Sequence, residues 1–221
     1  VQVYTYSLTN PSATVHARQV DLDRHGFRAT VNTPDGDGEI HCGLIGKFNV
    51  SNVLATLTTL YSYSKQFESV DTSSLFELVS RVKPVRGRME IIGSSDEFTC
   101  IVDYAHTPDG LQCALQAIRD HFHGNVWYVF GCGGNRDRGK RPMMGEIAAR
   151  FANQLIITDD NPRKEDGEAI VRHILTGIED HSAVTVIRDR SEAIRYAIAN
   201  ASAGDIVLIA GKGHENYQDI G

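Results

Sequence analysis

The chain of 221 residues is long enough for one large domain or two small ones, with ample core. Its 41% hydrophobic and 23% charged residues are typical of an ordinary globular protein, and its longest apolar runs are too short to cross a membrane. The formal net charge of −6 argues against a nucleic-acid partner. The four cysteines stand singly, without CxxC spacing, which favours reduced, mostly buried thiols in a cytoplasmic protein over disulfides or a zinc site.

The first part of the chain is rich in β-structure. The chain begins with Val1 and not with methionine, shows no signal peptide, and enters directly into strand-like sequence, so we expect a fragment of a longer protein. Three runs are typical of hairpin strands, with a turn rich in Asp and Gly at 34–38 before the last of them: residues 14–22, 26–32 and 39–44.

Two helices and a boundary follow these strands. Apolar residues recur with helical spacing from Val50 to Tyr61, and a second, shorter helix is predicted around Leu75 to Val82. Pro84 and the nearby Gly87 then interrupt the pattern. We therefore predict two domains, residues 1–84 and residues 85–221.

The second domain alternates short apolar runs with amphipathic helices. The runs are typical of strands that are buried on both faces; they occupy residues 98–102, 125–130, 154–158, 183–187 and 205–210. Thr107 followed by Pro108 predicts a helix start, with a hydroxyl cap and proline at the first helical position, and Ser191 is predicted to cap the last helix. The alternation predicts an α/β fold with a doubly wound, Rossmann-like and mostly parallel sheet.

Polar motifs follow these strands, at the edge where ligands bind in such sheets. Each motif alone could be a solvated loop, but together they predict a site. They lie at residues 103–108, 131–141, 159–163, 188–190 and 211–215.

The glycine-rich loop at 131–141 resembles two nucleotide motifs without matching either. Gly131-Cys132-Gly133 begins like a dinucleotide fingerprint, but Arg136 stands where the third glycine belongs. Residues 134–140 match the GxxxxGK of a phosphate loop, but Arg141 replaces the Ser or Thr that binds magnesium. A turn that lets backbone and Arg136 approach an anionic ligand fits this composition better.

The remaining motifs have the chemistry of a pocket for a small zwitterion. Arg163 and Asn161 lie on a turn stiffened by Pro162 and offer a fork for a carboxylate, whereas Glu215 can pair with an ammonium group. Asp103 and His106 leave three alternatives open: an acid–base pair, ligands for a ribose hydroxyl and an adenine edge, or, for His106, a polar residue at a helix start.

Six motifs in one order resemble the Mur ligase family, and the resemblance covers essentially the whole chain. Any one of them alone is a weak signal, but the set is highly specific. In that family the tetrad Asp-Asn-Pro-Arg, here at 160–163, marks the members that add diaminopimelate, and lysine-adding members lack it. The motifs are residues 46–52, 87–90, 103–108, 130–142, 160–163 and 211–215.

The resemblance implies an ATP-dependent ligase of peptidoglycan synthesis, which adds meso-diaminopimelate to UDP-N-acetylmuramoyl-L-alanyl-D-glutamate through an acyl phosphate, with Mg²⁺. Carried over by position, the diaminopimelate site would consist of Arg136, Asp160, Asn161, Pro162, Arg163, Gly211 and Glu215. By the same resemblance the nucleotide would be approached by Asn49, Asn52, Arg88, Asp103 and His106. No residue is assigned to a catalytic or metal-binding role.

The chain also departs from the family pattern. The family has an N-terminal domain for the UDP-sugar and a central ATPase domain, which holds a true phosphate loop and a carbamylated lysine near magnesium. Residues 1–84 resemble only the back part of that central domain, and residues 85–221 resemble the C-terminal domain. We therefore expect a monomeric fragment that is inactive alone.

Two other functions remain as alternatives. The first is a folylpolyglutamate synthetase-like or other amino-acid-adding ligase, against which the tetrad argues. The second is a non-catalytic nucleotide-binding module on the same sheet. Selective binding of diaminopimelate over lysine would separate the ligase from the module.

Overall fold

The computed structural model describes residues 2–67, 71–94 and 97–221. The chain divides into two compact units, Val1–Pro84 and Val85–Gly221. No helix in the described part is both long and apolar enough to cross a membrane.

The first unit is a four-stranded sheet with two helices. Its strands lie in chain order; the first two are parallel, and the others pair as antiparallel hairpins. The elements are β1 (Tyr6–Ser7), β2 (Val15–Asp23), β3 (Gly26–Thr33), β4 (Gly36–Cys42), α1 (Lys47–Phe67) and α2 (Thr72–Ser80). The buried core joins residues of the sheet to residues of both helices, including Val31, Ile40, Leu54, Leu57 and Phe76.

The observed bounds differ from the predicted ones where turn residues take part in strand pairing. Strand β4 begins at Gly36, inside the predicted turn, because Gly36 pairs with Thr33. Of residues 2–6, at the strand-like start of the chain, only Tyr6 lies in a strand, and Val1 is outside the described residues. At Gly26 φ is +132°, and a Cβ there would overlap the carbonyl oxygen of Cys42, so this position requires glycine.

The second unit is a six-stranded sheet with order β5-β6-β10-β7-β8-β9. Strand β5 pairs with β6 in antiparallel fashion, and all other neighbours are parallel. The strands are β5 (Glu90–Ser94), β6 (Phe98–Asp103), β7 (Val126–Phe130), β8 (Gln154–Ile157), β9 (Val184–Val186) and β10 (Asp205–Ala210). The helices are α3 (Pro108–His121), α4 (Lys140–Phe151), α5 (Gly167–Leu175) and α6 (Arg190–Asn200). The predicted α/β fold with a mostly parallel sheet is confirmed.

Strand β10 lies in the middle of this sheet, and all six of its residues are buried. Its amino end is fixed by Asp205, which accepts hydrogen bonds from the Trp127 indole at 3.0 Å and the Asn125 amide at 3.1 Å. Burial raises the pKa of Asp205, but these bonds and those from two backbone amides bring it below its usual value. Because β6, β7, β8 and β10 are parallel, their carboxyl ends all lie at the opposite edge of the sheet, where the polar motifs begin.

Helix caps set where the helices of this unit start. Thr107 accepts a hydrogen bond from the Gly110 amide at 3.2 Å, with Pro108 at the first helical position, as predicted. The prediction that Ser191 caps the last helix is wrong. Helix α6 begins at Arg190, and the carboxylate of Asp189 accepts the hydrogen bond from the Glu192 amide at 2.9 Å. Asp189 directly precedes the helix and is its cap, whereas Ser191 already lies within the first turn.

We expect Ile101→Ala to lower the free energy of unfolding by about 3 kcal/mol, because it opens a cavity in a fully buried strand. Ile101 is 0% exposed, whereas Ile92 on the neighbouring strand β5 is 56% exposed. Ile92→Ala is the matched control and is expected to cost less than about 1 kcal/mol. Urea unfolding measures both; equal losses would contradict the placement of β6 in the core.

Candidate functional site

Two loops meet closely at the carboxyl edge of the second unit. The Gly134 amide donates to the Asn161 carbonyl at 2.8 Å. A Cβ on Gly134 would overlap the Pro162 carbonyl oxygen, and a Cβ on Gly133 would lie 3.0 Å from Nη1 of Arg163. The two glycines therefore let the glycine-rich loop lie directly against the turn that carries the tetrad.

Arg163 is held in a fixed orientation by main-chain atoms. Its Nη1 donates to the carbonyl of Gly134 at 2.9 Å and to that of Asn161 at 3.3 Å, and its Nε lies 3.6 Å from a carboxylate oxygen of Asp219. The backbone has φ of +55°, a left-handed conformation that costs a non-glycine residue about 1 kcal/mol. The side chain is 26% exposed, and its Nη2 donates to no other described residue. A planar guanidinium with one nitrogen available can bind a carboxylate.

Asn161 and Lys212 form a buried polar pair. The side chain of Asn161 accepts from the ammonium group of Lys212 at 2.9 Å and from the Asp219 amide at 2.8 Å. Because both partners are donors, the accepting atom is the amide oxygen. The amide nitrogen of Asn161 is then the donor that faces Glu215, and its second hydrogen can donate to a ligand.

Lys212 also joins Asn161 to Glu215, since its ammonium group lies 3.1 Å from a carboxylate oxygen of Glu215. The other oxygen of that carboxylate accepts from the Tyr104 hydroxyl at 3.3 Å. Burial raises the pKa of Glu215, but the bond and charge of Lys212, followed by the bonds of Tyr104 and Asn161, hold it below its usual value. Glu215 is therefore ionised at neutral pH, which is the form that binds an ammonium group.

The other predicted substrate residues lie against the same loops. Arg136 is exposed, and its Cγ is 3.6 Å from the place that a Cβ on Gly133 would take. Gly211 has φ of +106°, and a Cβ there would lie 2.7 Å from a carboxylate oxygen of Asp160. The structure thus brings all seven residues of the predicted diaminopimelate site to one edge of the sheet. Their roles in binding stay predictions.

Three of the predicted nucleotide residues gather around Tyr104. The guanidinium of Arg88 lies 4.5 Å from the centre of the Tyr104 ring, and Nδ1 of His106 donates to the Tyr104 carbonyl at 2.8 Å. The carboxylate of Asp103 accepts from the amides of Ala105 at 2.7 Å and Met89 at 2.8 Å. Asp103 therefore fixes the backbone at this corner, and its contact with a nucleotide stays a prediction.

The other two, Asn49 and Asn52, lie in the first unit, in the first turns of α1. The amide of Asn49 donates to the Ile45 carbonyl at 2.9 Å, and that of Asn52 donates to the Asn49 side chain at 3.2 Å. Their approach to a nucleotide stays a prediction.

Sequence reasoning missed the ion pair that holds the two loops together. Arg141 is fully buried, and its two terminal nitrogens each donate to Glu165 at 2.9 Å. Glu165 also accepts from the Asn135 amide at 2.9 Å and pairs with Arg138 at 3.1 Å. These bonds, led by that of Arg141, lower the pKa of Glu165 to about 2. In the sequence Arg141 appears only as the residue that breaks the phosphate-loop motif.

The phosphate-like loop at 134–140 is bonded to the loop that follows β6. Its Lys140 donates to the His106 carbonyl at 2.9 Å, and no side chain caps the helix that begins there. Within residues 2–67, 71–94 and 97–221 no group of three or more His, Cys, Asp or Glu side chains is arranged to hold a metal ion.

Comparison with known proteins identifies the family. The family model described as "Mur ligase, glutamate ligase domain" matches residues 87–213, more than half of the chain. The chain belongs to the Mur ligase family. The model of the Mur ligase middle domain also matches, over residues 1–60, so both halves of the chain resemble this family, as their motifs predicted.

Relatives within the Mur ligase family include a UDP-N-acetylmuramoyl-L-alanyl-D-glutamate--2,6-diaminopimelate ligase of Vibrio vulnificus strain YJ016. It is 49% identical over 183 residues, which are 83% of this chain and 36% of the relative. A solved structure with the same enzyme name is 41% identical, with a TM-score of 0.73 over 98% of this chain and 44% of its own. The chain therefore spans less than half the length of these relatives.

More distant structures share the fold alone. The folylpolyglutamate synthase of Mycobacterium tuberculosis is 19% identical, with a TM-score of 0.69 over 90% of this chain and 46% of its own. At this identity the likeness supports the Mur ligase fold and no particular substrate.

We expect Glu165→Gln to lower the free energy of unfolding at pH 7 by about 2 kcal/mol, because it leaves the buried guanidinium of Arg141 without its counter-charge. Glu168→Gln is the control, since Glu168 pairs with Arg172 on the exposed surface, and it should change stability by less than about 0.5 kcal/mol.

The effect of Glu165→Gln should depend on pH. Folding lowers the pKa of Glu165 from 4.5 to about 2, so its contribution is complete above pH 4.5 and is lost as the pH falls toward 2. Urea unfolding across this range should show the wild type and Glu165→Gln converging toward low pH. A constant difference between them would contradict the ion pair.

Proposed function

We propose that this chain supplies the amino-acid-binding part of an ATP-dependent ligase that adds meso-diaminopimelate to UDP-N-acetylmuramoyl-L-alanyl-D-glutamate in peptidoglycan synthesis. The proposal rests on the observation that Asn161, Arg163 and Glu215 lie together at one edge of the sheet. Asn161 and Arg163 can donate to a carboxylate, and the ionised Glu215 can accept from an ammonium group. The names of the two relatives with 49% and 41% identity support the same substrate.

The donors account for the choice of amino acid. Diaminopimelate differs from lysine by an additional carboxylate, and the guanidinium of Arg163 with the amide nitrogen of Asn161 would bind it. With lysine the free Nη2 of Arg163 would lack a carboxylate acceptor, which costs about 1–3 kcal/mol for an unpaired, partly buried group. A site built in this way discriminates strongly against the ligand that lacks the group.

The acceptor accounts for the orientation of the nucleophile. In the proposed reaction ATP phosphorylates the γ-carboxylate of the nucleotide-linked dipeptide, and the amine of diaminopimelate attacks the resulting acyl phosphate and releases phosphate. Glu215 would hold an ammonium group of the amino acid, while Arg163 and Arg136 would hold carboxylates. The contribution of these residues is positioning, which makes the attack effectively unimolecular.

The nucleotide would be approached by Asn49, Asn52, Arg88, Asp103 and His106. The proposed ligase uses Mg²⁺ as well, and no residue of this chain is assigned to hold it. The proposal places the enzyme in the cytoplasm as a monomer, with no nucleic-acid or membrane partner.

In the complete ligase, Arg163→Ala should raise the KM for diaminopimelate by about 100-fold, because the guanidinium that binds its far carboxylate is lost. Slow turnover of lysine should change by less than about threefold. Lys164→Ala, in which the neighbouring exposed side chain is removed, should leave both reactions unchanged. Steady-state kinetics with the two amino acids measures this, and equal losses with both would refute the carboxylate fork.

The 221-residue chain alone should release no ADP from ATP, even with diaminopimelate and the nucleotide-linked dipeptide present. Its GxxxxGK segment at 134–140 is followed by Arg141, which cannot replace the magnesium-binding hydroxyl of a phosphate loop. A coupled ADP assay tests this. Release that requires both substrates would show that the chain is sufficient for ligation.

A further inference from the structure

A short segment outside the helices and strands passes beside the turn that carries the tetrad. Residues 217–219, here called the strap, follow Glu215 in the chain and belong to no helix or strand. The first of the three contacts Lys212, and the other two are bonded to the turn at 159–163. The strap is therefore held against the proposed amino-acid site without help from regular structure.

The strap is bonded to the start, the middle and the end of the turn. The side-chain amide of Gln218 donates to the Asp159 carbonyl at 3.1 Å. The backbone amide of Asp219 donates to the side-chain oxygen of Asn161 at 2.8 Å, and its carbonyl accepts from the Arg163 amide at 3.1 Å. Two consecutive residues thus fix both the backbone of the turn and the amide group of Asn161.

The bond to the Arg163 amide supports a costly backbone conformation. Arg163 has φ of +55°, and a residue other than glycine keeps such a conformation only where its surroundings fix it. The Asp219 carbonyl bonds this backbone, and the Gly134 carbonyl bonds the guanidinium. Because the backbone sets the direction in which the side chain leaves the turn, the strap helps to place the guanidinium.

The two strap residues act through different atoms. The carboxylate of Asp219 is 50% exposed and lies 3.6 Å from Nε of Arg163, so this ion pair contributes little and the backbone bonds matter more. Gln218 contributes its half-buried side chain. The residue that it bonds, Asp159, is itself fixed by Arg188, which donates to both carboxylate oxygens at 2.6 and 2.8 Å. Gln218 therefore ties the strap to a fixed point.

Tyr217 joins the strap to the cation of the site. The ammonium group of Lys212 lies 5.3 Å from the centre of the Tyr217 ring, within the range of a cation–π attraction. The same ammonium group is bonded to Asn161 and Glu215. The strap therefore contacts both groups that orient the side chain of Asn161.

We propose that the strap positions the amino-acid site. Gln218, through its side chain, and Asp219, through its backbone, hold Asn161 and Arg163 in the arrangement that binds the far carboxylate of the amino acid. Neither contacts the substrate, so both are positioning residues. This inference rests on the proposed function for its substrate, but the contact between strap and turn can be tested without it.

The first experiment measures amide hydrogen exchange by NMR in the 221-residue chain. The amides of Arg163 and Asp219 should be protected in the wild type, because each donates to a fixed acceptor. Gln218→Met keeps the size of the side chain without its donor and should speed exchange at both amides by about fivefold. Unprotected amides in the wild type, or unchanged exchange in Gln218→Met, would overturn the strap.

Gln116→Met is the matched control for this substitution. Gln116 lies on the exposed face of α3 and donates a bond of the same kind to Asp120 at 2.9 Å. Its replacement should leave exchange at the Arg163 and Asp219 amides unchanged. Faster exchange in this control as well would show a general effect of losing a glutamine bond and would overturn the assignment to Gln218.

The second experiment measures kinetics in the complete ligase. Gln218→Met should raise the KM for diaminopimelate by about tenfold and change the KM for ATP by less than about twofold. Slow turnover of lysine should change by less than about threefold, because lysine has no far carboxylate for the turn to bind. Gln116→Met should behave as the wild type.

A pair of variants at Asp219 tests the role of its backbone. Asp219→Pro removes the amide hydrogen that Asn161 accepts, whereas Asp219→Ala keeps it and removes only the carboxylate. The KM for diaminopimelate should rise by about tenfold in Asp219→Pro and by less than about threefold in Asp219→Ala. Equal increases in the two variants would overturn the proposed backbone role.

The outcomes distinguish the two proposals. Equal increases in the KM values for diaminopimelate and ATP in Gln218→Met would show a general loss of structure, and an unchanged KM for diaminopimelate would show no effect on the site; either would overturn the positioning role. If the wild-type ligase does not use diaminopimelate at all, the proposed function fails, and hydrogen exchange still decides whether the strap holds the turn.

Discussion

The candidate site depends on the hydrogen bond between the buried ammonium group of Lys212 and the side-chain oxygen of Asn161. A lysine in this position is stable only with acceptors around it, and the two acceptors are Asn161 and Glu215. One cation therefore sets the orientation of an amide and the ionisation of a carboxylate. The ammonium group of Lys212 therefore decides which atom of Asn161 can donate and keeps Glu215 as an acceptor.

The backbone below the site is constrained in a similar way by buried charges. The Arg141–Glu165 pair joins the glycine-rich loop to the segment that follows the tetrad, and the absence of side chains at Gly133 and Gly134 lets the loop and the turn touch. Such pairs add little net stability compared with apolar packing. Their effect is to fix one arrangement of loops that would otherwise be free to move relative to the sheet.

Sequence alone was sufficient for the parallel sheet, because its strands are short apolar runs separated by helices with regular spacing. It was also sufficient for the edge at which the motifs meet. It missed strand β5, where Gly93 interrupts the apolar pattern and the pairing with β6 shifts register. It named Lys212 only as part of the motif at 211–215 and did not name Glu165, because a charged residue in a loop looks solvated until its distant partner is known. Arg141 and Glu165 are 24 positions apart, and no local pattern connects them.

Under the proposed function, the left-handed backbone at Arg163 lowers local stability at a residue that would recognise the amino acid. Asparagine and glycine adopt this conformation more easily than arginine does, so a chain selected only for folding would not keep arginine there. Replacement by either of them would relax the turn and remove the guanidinium in the same step. Under the proposed function, substitutions that make this turn more stable would therefore also make the ligase less selective between amino acids, and β-branched residues offer neither benefit.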